Sequence, residues 1–109
     1  GIEFRRSMAY PPFAALASII IRGTREEEAL SRSAALGRFL QPSPQGIRVM
    51  GPAAAAVARL KNEYRYQIII KAPTRKRLNE VLVEIRRFTH AEKWNPVSLV
   101  IDVDPVTLL

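Results

Sequence analysis

"ARLKNEYRYQIIIKAPTRKR", residues 58–77, carries the periodicity that decides the fold. From residue 64 the side chains alternate. Tyr64, Tyr66, Ile68, Ile70 and Ala72 fall on one face, and Arg65, Gln67, Ile69 and Lys71 on the other. A period of two is that of a strand with one face buried and one open. Tyr66, Ile68 and Ile70 are expected to be buried, and Arg65 and Lys71 exposed. Pro73 ends the strand, and Thr74 stands where a hydroxyl can cap a helix. Leu78, Val81, Leu82 and Ile85 follow at i, i+3, i+4 and i+7, the apolar stripe of that helix. Upstream, Lys61-Asn62-Glu63 reads as a turn. Residues 53–60 have helix-favouring alanines, yet no cap precedes them and Pro52 leads in. The strong strand beyond the turn needs an antiparallel partner, so 53–60 is read as an extended arm.

The rest of the chain falls into place around this hairpin. Residues 1–13, "GIEFRRSMAYPPF", form a lead-in, with a short helix expected from Glu3 to Ala9 and an extended entry forced by Pro11 and Pro12. "AALASIIIR" (14–22) reads as the first strand, closed by Gly23. Thr24 and Glu27 have capping-box spacing, and Glu26, Glu27 and Glu28 sit where the helix dipole favours carboxylates. Leu30, Ala34, Leu36, Phe39 and Leu40 are the expected inner face. "QPSPQG" (41–46) stops this helix, and "IRVMGP" (47–52) begins the second strand. After Trp94-Asn95-Pro96, "VSLVIDVD" (97–104) is the last strand, with Val97, Leu99, Ile101 and Val103 inward. The fold class is therefore α+β: a ferredoxin-like β-α-β-β-α-β order. Two helices cover one face of a four-stranded antiparallel sheet, and a long hairpin arm joins strands two and three.

Composition narrows the function. With 109 residues, 48% of them hydrophobic, residues 14–109 suffice for one domain with its own core. There are no cysteines, so disulfides and thiolate metal sites are excluded. The single histidine, His90, cannot hold a metal alone. No apolar run is long enough to span a bilayer, and no signal peptide is visible. The chain begins at Gly1 without a methionine, which reads as a segment of a longer protein. The formal net charge is +7. Such a surface attracts phosphate groups over a Debye length of roughly 8–10 Å, which makes nucleic acid the first partner class to consider.

Seven of the seventeen basic residues lie in the opening stretch: Arg59, Lys61, Arg65, Lys71, Arg75, Lys76 and Arg77. Arg65, Lys71 and Gln67 project from the uncovered sheet face. Arg59 and Lys61 lie on the hairpin arm. Arg75, Lys76 and Arg77 crowd the first turn of the second helix, where the dipole disfavours cations but backbone N–H groups favour anions. A solvated basic face is the bland reading, and phosphate contact is the functional one. Tyr64 and Tyr66 share a face with Ile68 and Ile70, so core packing precedes base stacking as their role. The aromatic signature of RNA-recognition sheets is missing, so backbone tracking is expected rather than base readout. Asp102 and Asp104 are two apart on the outward face of the last strand; salt partners suit them better than a metal. No Gly-rich phosphate loop is present, and "GTREEE" departs from the acylphosphatase loop of the same topology. No catalytic residue is assigned.

Three segments together resemble one family. Arg6 with Tyr10-Pro11-Pro12-Phe13, then Gly51-Pro52 with Tyr64-Arg65-Tyr66-Gln67, then Asp102-Val103-Asp104-Pro105 with Leu108 and Leu109, are similar to the C-terminal domain of the bacterial replication-restart helicase PriA (primosomal protein N′). The resemblance spans nearly the whole chain. It implies a non-catalytic domain that binds forked or single-stranded DNA. It also implies help in binding the acidic C-terminal tail of single-stranded DNA-binding protein, against the helicase core of the same chain, with Gln67 at a position implicated in that pocket and Arg65 beside it. The family often has a basic residue where Glu63 stands. The intact protein would be a cytoplasmic bacterial helicase that uses ATP and magnesium to unwind forks in the 3′ to 5′ direction, carries zinc, and works with other primosome proteins. Its ATPase motifs and zinc-binding cysteines would lie upstream of residues 1–13. A ribosomal or RNA-binding protein of the same topology, and a regulatory ferredoxin-like interaction module, are the alternatives. The second wants an apolar sheet face, which Arg65, Gln67 and Lys71 do not provide.

Overall fold

A computed structural model describes residues 13–105. The lead-in helix expected over Glu3–Ala9, the motif residues Arg6 and Tyr10 to Pro12, and Leu108 and Leu109 lie outside the described residues. Six regular elements occur in the expected order: β1 (Ala15–Gly23), α1 (Glu26–Phe39), β2 (Arg48–Leu60), β3 (Glu63–Ala72), α2 (Arg75–Ala91) and β4 (Leu99–Val103). A one-turn 3-10 helix, Pro96–Ser98, precedes β4. The sheet runs β2-β3-β1-β4, with antiparallel pairing throughout. This is the split βαβ arrangement.

The core lies between the helices and one sheet face. Ala15, Ala17, Ile19 and Ile21 of β1 alternate inward with Ile68, Ile70 and Ala72 of β3. Leu78, Val81, Leu82 and Ile85 of α2 close over them, as their spacing demands. The Thr74 hydroxyl accepts the Arg77 backbone N–H at 3.0 Å, so the expected cap forms. Tyr66, expected to be buried, is only half-buried, as are Tyr64, Arg65 and Lys71. Tyr64 pairs with Gly23 and Arg59 at the end of β1, and Tyr66 with the buried Ile21 on one side and Ala54 on the other, so the two rings stand at the edge of the core rather than inside it.

Three further expectations are corrected. Thr24 does not cap α1. The chain bends for one more residue, and Arg25, extended at φ −112° and ψ 126°, holds the cap position without a side-chain bond. Its carbonyl accepts the Ala29 N–H at 3.1 Å, so the helix starts one residue too late for Thr24 to reach it. The inner face of α1 is Ala29, Ser33, Leu36 and Gly37, with Leu40 following, whereas Leu30 and Phe39 are exposed. Small residues let the helix lie close to the sheet, and that close fit, rather than side-chain bulk, selects the buried stripe. Val97 is exposed and does not belong to the last strand. The Asn95 side chain accepts the Val97 N–H at 3.1 Å, which holds 96–98 in a turn until Leu99 enters the sheet.

The hairpin arm is as expected, with β2 extended through the alanines to Leu60. Lys61 and Asn62 both have left-handed backbones, φ 52° and 65°, which is the two-residue turn whose twist matches paired strands. Glu63 pairs with Leu60 and so belongs to β3. At the arm's root the ladder jumps between Met50 and Ala53. Gly51 sits there at φ 99°, and an added Cβ would lie 2.6 Å from the Gln67 carbonyl oxygen. The bulge turns Pro52 onto Gly37 of α1, where a Cβ would meet the proline ring at 2.7 Å. Two glycines thus let helix, arm and sheet meet at one point. The arm stretches the molecule to 48 × 28 × 21 Å.

Candidate nucleic-acid and peptide interface

The uncovered sheet face follows from register. Lys71 lies between Leu16 and Arg48, Ile69 between Ser18 and Met50, Gln67 between Ile20 and Ala53, and Arg65 opposite Arg22. On the far side of β1, Ser18 pairs with Asp102 and Ile20 with Val100. The centre of this face therefore mixes apolar side chains with Ser18, Gln67 and Asp102, and its two ends are basic. Among the described residues no helix covers it, yet Ser18 and Ile20 are only 6% and 8% exposed. The Gln67 amide nitrogen donates to the Ser18 hydroxyl at 2.8 Å.

Two cross-strand pairs on this face join like charges, Arg48 with Lys71 and Arg22 with Arg65. Like charges directly opposite one another destabilise a sheet by up to about 1 kcal/mol. Arg65 donates to the Val57 carbonyl at 3.1 Å, and Arg22 to the Val97 carbonyl at 2.6 Å. Each tether fixes a guanidinium and leaves further N–H groups to offer. Glu63 brings a carboxylate to 3.8 Å from Arg22.

The seven nominated cations do not form one patch. Arg65 and Lys71 lie on the open face, as expected. Arg59 and Lys61 lie at the tip of the arm, where the Arg59 guanidinium stands 5.0 Å from the centre of the Tyr64 ring. That contact gives Tyr64 an amphipathic setting beside a cation, neither core nor free for stacking. Lys76 is exposed on α2. Arg75 and Arg77 are held by the protein itself: Arg75 pairs with Asp104, and Arg77 donates to the Gln45 carbonyl at 3.3 Å and to Glu80 at 3.1 Å. The misplaced charge at the start of α2 thus has a structural partner in Asp104.

Asp104 closes a clamp. Its backbone, at φ 50°, donates to the Leu16 carbonyl at 2.6 Å, and its carboxylate accepts the Leu16 N–H at 3.0 Å. The Leu16 N–H, and after it the Arg75 guanidinium, hold the Asp104 carboxyl below the usual carboxylate range. Both partners favour the charged form, so Asp104 serves as a salt partner, as expected of it, although it lies just past the end of β4 rather than on the strand's outward face. His90 is exposed at the C-terminal end of α2, beside a cavity of about 180 Å³ lined also by Arg86, Thr89 and Trp94. Among the described residues no three His, Asp or Glu side chains converge, and no helix is long and apolar enough to cross a membrane.

Sequence reasoning missed Arg22 and Arg48. Both were legible as strand residues of outward phase, but only the register places each one opposite a nominated cation.

The architecture is that of a split βαβ domain with a projecting hairpin arm and a basic sheet face that no helix covers among the described residues. The chain belongs to the family described as primosomal protein N C-terminal domain, whose model matches residues 6–106. Similar proteins include the replication restart protein PriA of Rickettsia felis, 31% identical over 95% of this chain and 15% of the relative. That of Haemophilus influenzae is 30% identical over 98% and 15%, and that of Bacillus subtilis 28% identical over 96% and 13%. The chain spans about 15% of the length of the curated relatives it matches. Membership of this family replaces the ribosomal and regulatory alternatives.

Proposed function

We propose that residues 14–109 form the C-terminal domain through which a PriA-type replication-restart protein contacts forked or single-stranded DNA, with residues 1–13 leading in from an upstream helicase region. The supporting observation is the pair of like-charge couples, Arg48–Lys71 and Arg22–Arg65, at the two ends of one uncovered face. A phosphate between two such cations relieves the repulsion that the bare sheet carries. Lys61, Arg59 and Lys76 extend the positive field. Arg75 and Arg77 add charge, but their guanidinium groups already have carboxylate partners. Contact is to the sugar-phosphate chain, because among the described residues no exposed aromatic pair stands on the face to stack bases.

The same face suits the acidic C-terminal tail of single-stranded DNA-binding protein. Gln67 and Arg65 can bind carboxylates there, Ile69 and Val100 offer apolar contact, and the helicase core of the same chain completes the slot. ATP, magnesium and zinc would serve the parent's upstream regions, which would perform unwinding and meet the other primosome proteins in the bacterial cytoplasm. The domain itself would bind and position.

The test is fluorescence anisotropy with a labelled fork across a salt series. Charge reversal at Arg48, Arg65 and Lys71 together is expected to weaken binding tenfold or more and to flatten the salt dependence. Reversal at Arg25 and Arg32 on α1 is expected to change it by about twofold. Equal losses from the two sets would reduce the interaction to general charge attraction and overturn the assignment of the face.

A further inference from the structure

We propose that the cavity at the C-terminal end of α2 is a subsite for one nucleotide of a single DNA strand, taking the base against Trp94 and its phosphate on Arg86 and His90. The inference rests on the DNA-contact role proposed above and adds a second contact, of a different chemistry, away from the sheet face.

The turn that ends α2 builds the site. Lys93 has a left-handed backbone, φ 59°. It turns the chain back over the helix, so that the Lys93 and Trp94 N–H groups donate to the His90 and Thr89 carbonyls, each at 3.0 Å. Glycine usually holds the position of Lys93; a lysine there accepts backbone strain and adds an exposed ammonium next to Trp94 in the chain. The Trp94 ring is half-buried and held in place, with Phe88 at 75° and 6.1 Å and the Arg32 guanidinium 5.8 Å from its centre. Trp94, Pro96 and Leu99 form the apolar wall of the cavity. Arg86 and His90, one turn apart on the same side of α2, bring cationic and imidazole N–H donors to it. Among the described residues no carboxylate lines the cavity. Arg87, one residue on, pairs with Glu84 at 2.9 Å, whereas the exposed Arg86 and His90 side chains have no partner among the described residues. The Asn95 side-chain oxygen accepts the Val97 N–H, which leaves the Asn95 NH2 group to donate to a base edge. At about 180 Å³ the cavity falls below the roughly 300–1,000 Å³ of sites that enclose a whole small ligand. It suits one planar base of a polymer whose remaining length is held elsewhere. That further contact is near: Arg22 on the open sheet face donates to the Val97 carbonyl, and Val97 follows Pro96 of the cavity wall. A strand can pass from the open face around β4 to the cavity.

The experiment uses the full-length protein and a labelled oligo-dT strand. Anisotropy reads affinity, and the same strand carrying an iodinated deoxyuridine is photocrosslinked, with the adduct mapped by mass spectrometry. An adduct on Trp94 is expected. Trp94→Ala is expected to weaken the strand about tenfold, the loss of one base–aromatic contact. Arg86→Glu is expected to weaken it about fivefold and to abolish the adduct. Arg87→Glu, an equal change of charge off the cavity, is expected to change affinity by less than about twofold and to keep the adduct. Arg86 and Arg87 are both exposed, so this comparison does not depend on whether Trp94→Ala folds. Thymidine monophosphate or ATP, in excess over the strand, is expected to leave the adduct intact; its loss would make the cavity a site for a free nucleotide and overturn the strand as occupant. No adduct on Trp94, or equal losses from Arg86→Glu and Arg87→Glu, overturns the subsite. If reversal at Arg48, Arg65 and Lys71 weakens the strand while Arg86→Glu does not, the proposed function stands and the subsite falls. If neither changes binding, both fall.

Discussion

Replacing Gly51 by alanine perturbs the one point where arm, sheet and helix meet. The residue has φ 99°, outside the range that L side chains adopt readily, and its added Cβ would stand 2.6 Å from the Gln67 carbonyl oxygen and 3.3 Å from the Ala53 nitrogen. The unfavourable backbone conformation costs about 1–3 kcal/mol. The neighbour is main chain of the central strand β3, so relief means moving the ladder, at about 1–3 kcal/mol more. Alanine returns roughly 0.4–1 kcal/mol by restricting the unfolded chain. The net destabilisation expected is about 1–5.5 kcal/mol, up to a large part of the total stability of a domain of this size. Urea unfolding followed by circular dichroism reads it as a fall in midpoint of about 1–3 M at unchanged slope. Two further variants divide the cost. Gly46→Ala, at φ 78° with its nearest contact at 3.7 Å, should show the backbone cost alone, about 1–2 kcal/mol. Gly23→Ala, with a negative-φ backbone and open contacts from 3.6 Å, should be near neutral. If Gly51→Ala costs no more than Gly46→Ala, the close approach at the arm's root does not constrain the fold, and the account of how the arm is aimed is wrong.

The Asp104 clamp predicts a pH signature. Its carboxyl is held below the ordinary range, so it adds stability fully above the unfolded carboxylate value of about 3.9. That contribution declines as pH falls through the folded value. The stability difference between the wild type and Asp104→Asn, measured by denaturant unfolding, should therefore be constant from neutral pH to about pH 5 and shrink below about pH 4; a difference that persisted in strong acid would show that the carboxylate charge is not involved. The two helices meet through aromatic rings, with Phe39 and Phe88 stacked at 4.5 Å and Phe88 edge-on to Trp94 at 6.1 Å. Phe88→Ala should cost about 2–4 kcal/mol and shift Trp94 emission to longer wavelength. An unshifted spectrum with full stability would mean that this cluster does not hold the helices.

Much of the candidate site is legible in the order of residues. The alternation from Tyr64 to Ala72 predicts which way Arg65, Gln67 and Lys71 point, because side-chain period is a local property of extended backbone. Thr74 announces the start of α2 for the same reason: a cap and its N–H are three residues apart. The expectation for Val97 failed on a local bond, the Asn95 side chain accepting the Val97 N–H, whereas that for α1 failed because its buried stripe depends on fit against another layer. Leu30 has the more apolar side chain, yet Ala29 and Gly37 are buried because the sheet is near.

Local chemistry alone, then, determined the order of elements, the hairpin arm and the basic character of one sheet face. Family motifs spread across the chain added the kind of protein to which it belongs. The tertiary structure decided which charges are available to a ligand. Arg75 finds Asp104, 29 residues away, and Asp104 closes on Leu16 across 88 residues. Arg22 is brought opposite Arg65, and Arg48 opposite Lys71, by strand register. Period assigns a side chain to a face, but its partner depends on how strands distant in sequence align. That alignment is chosen by the buried side, where Ile19, Ile21, Ile68 and Ile70 must interlock. The pattern of charge on the open face is a consequence of packing on the opposite, buried face.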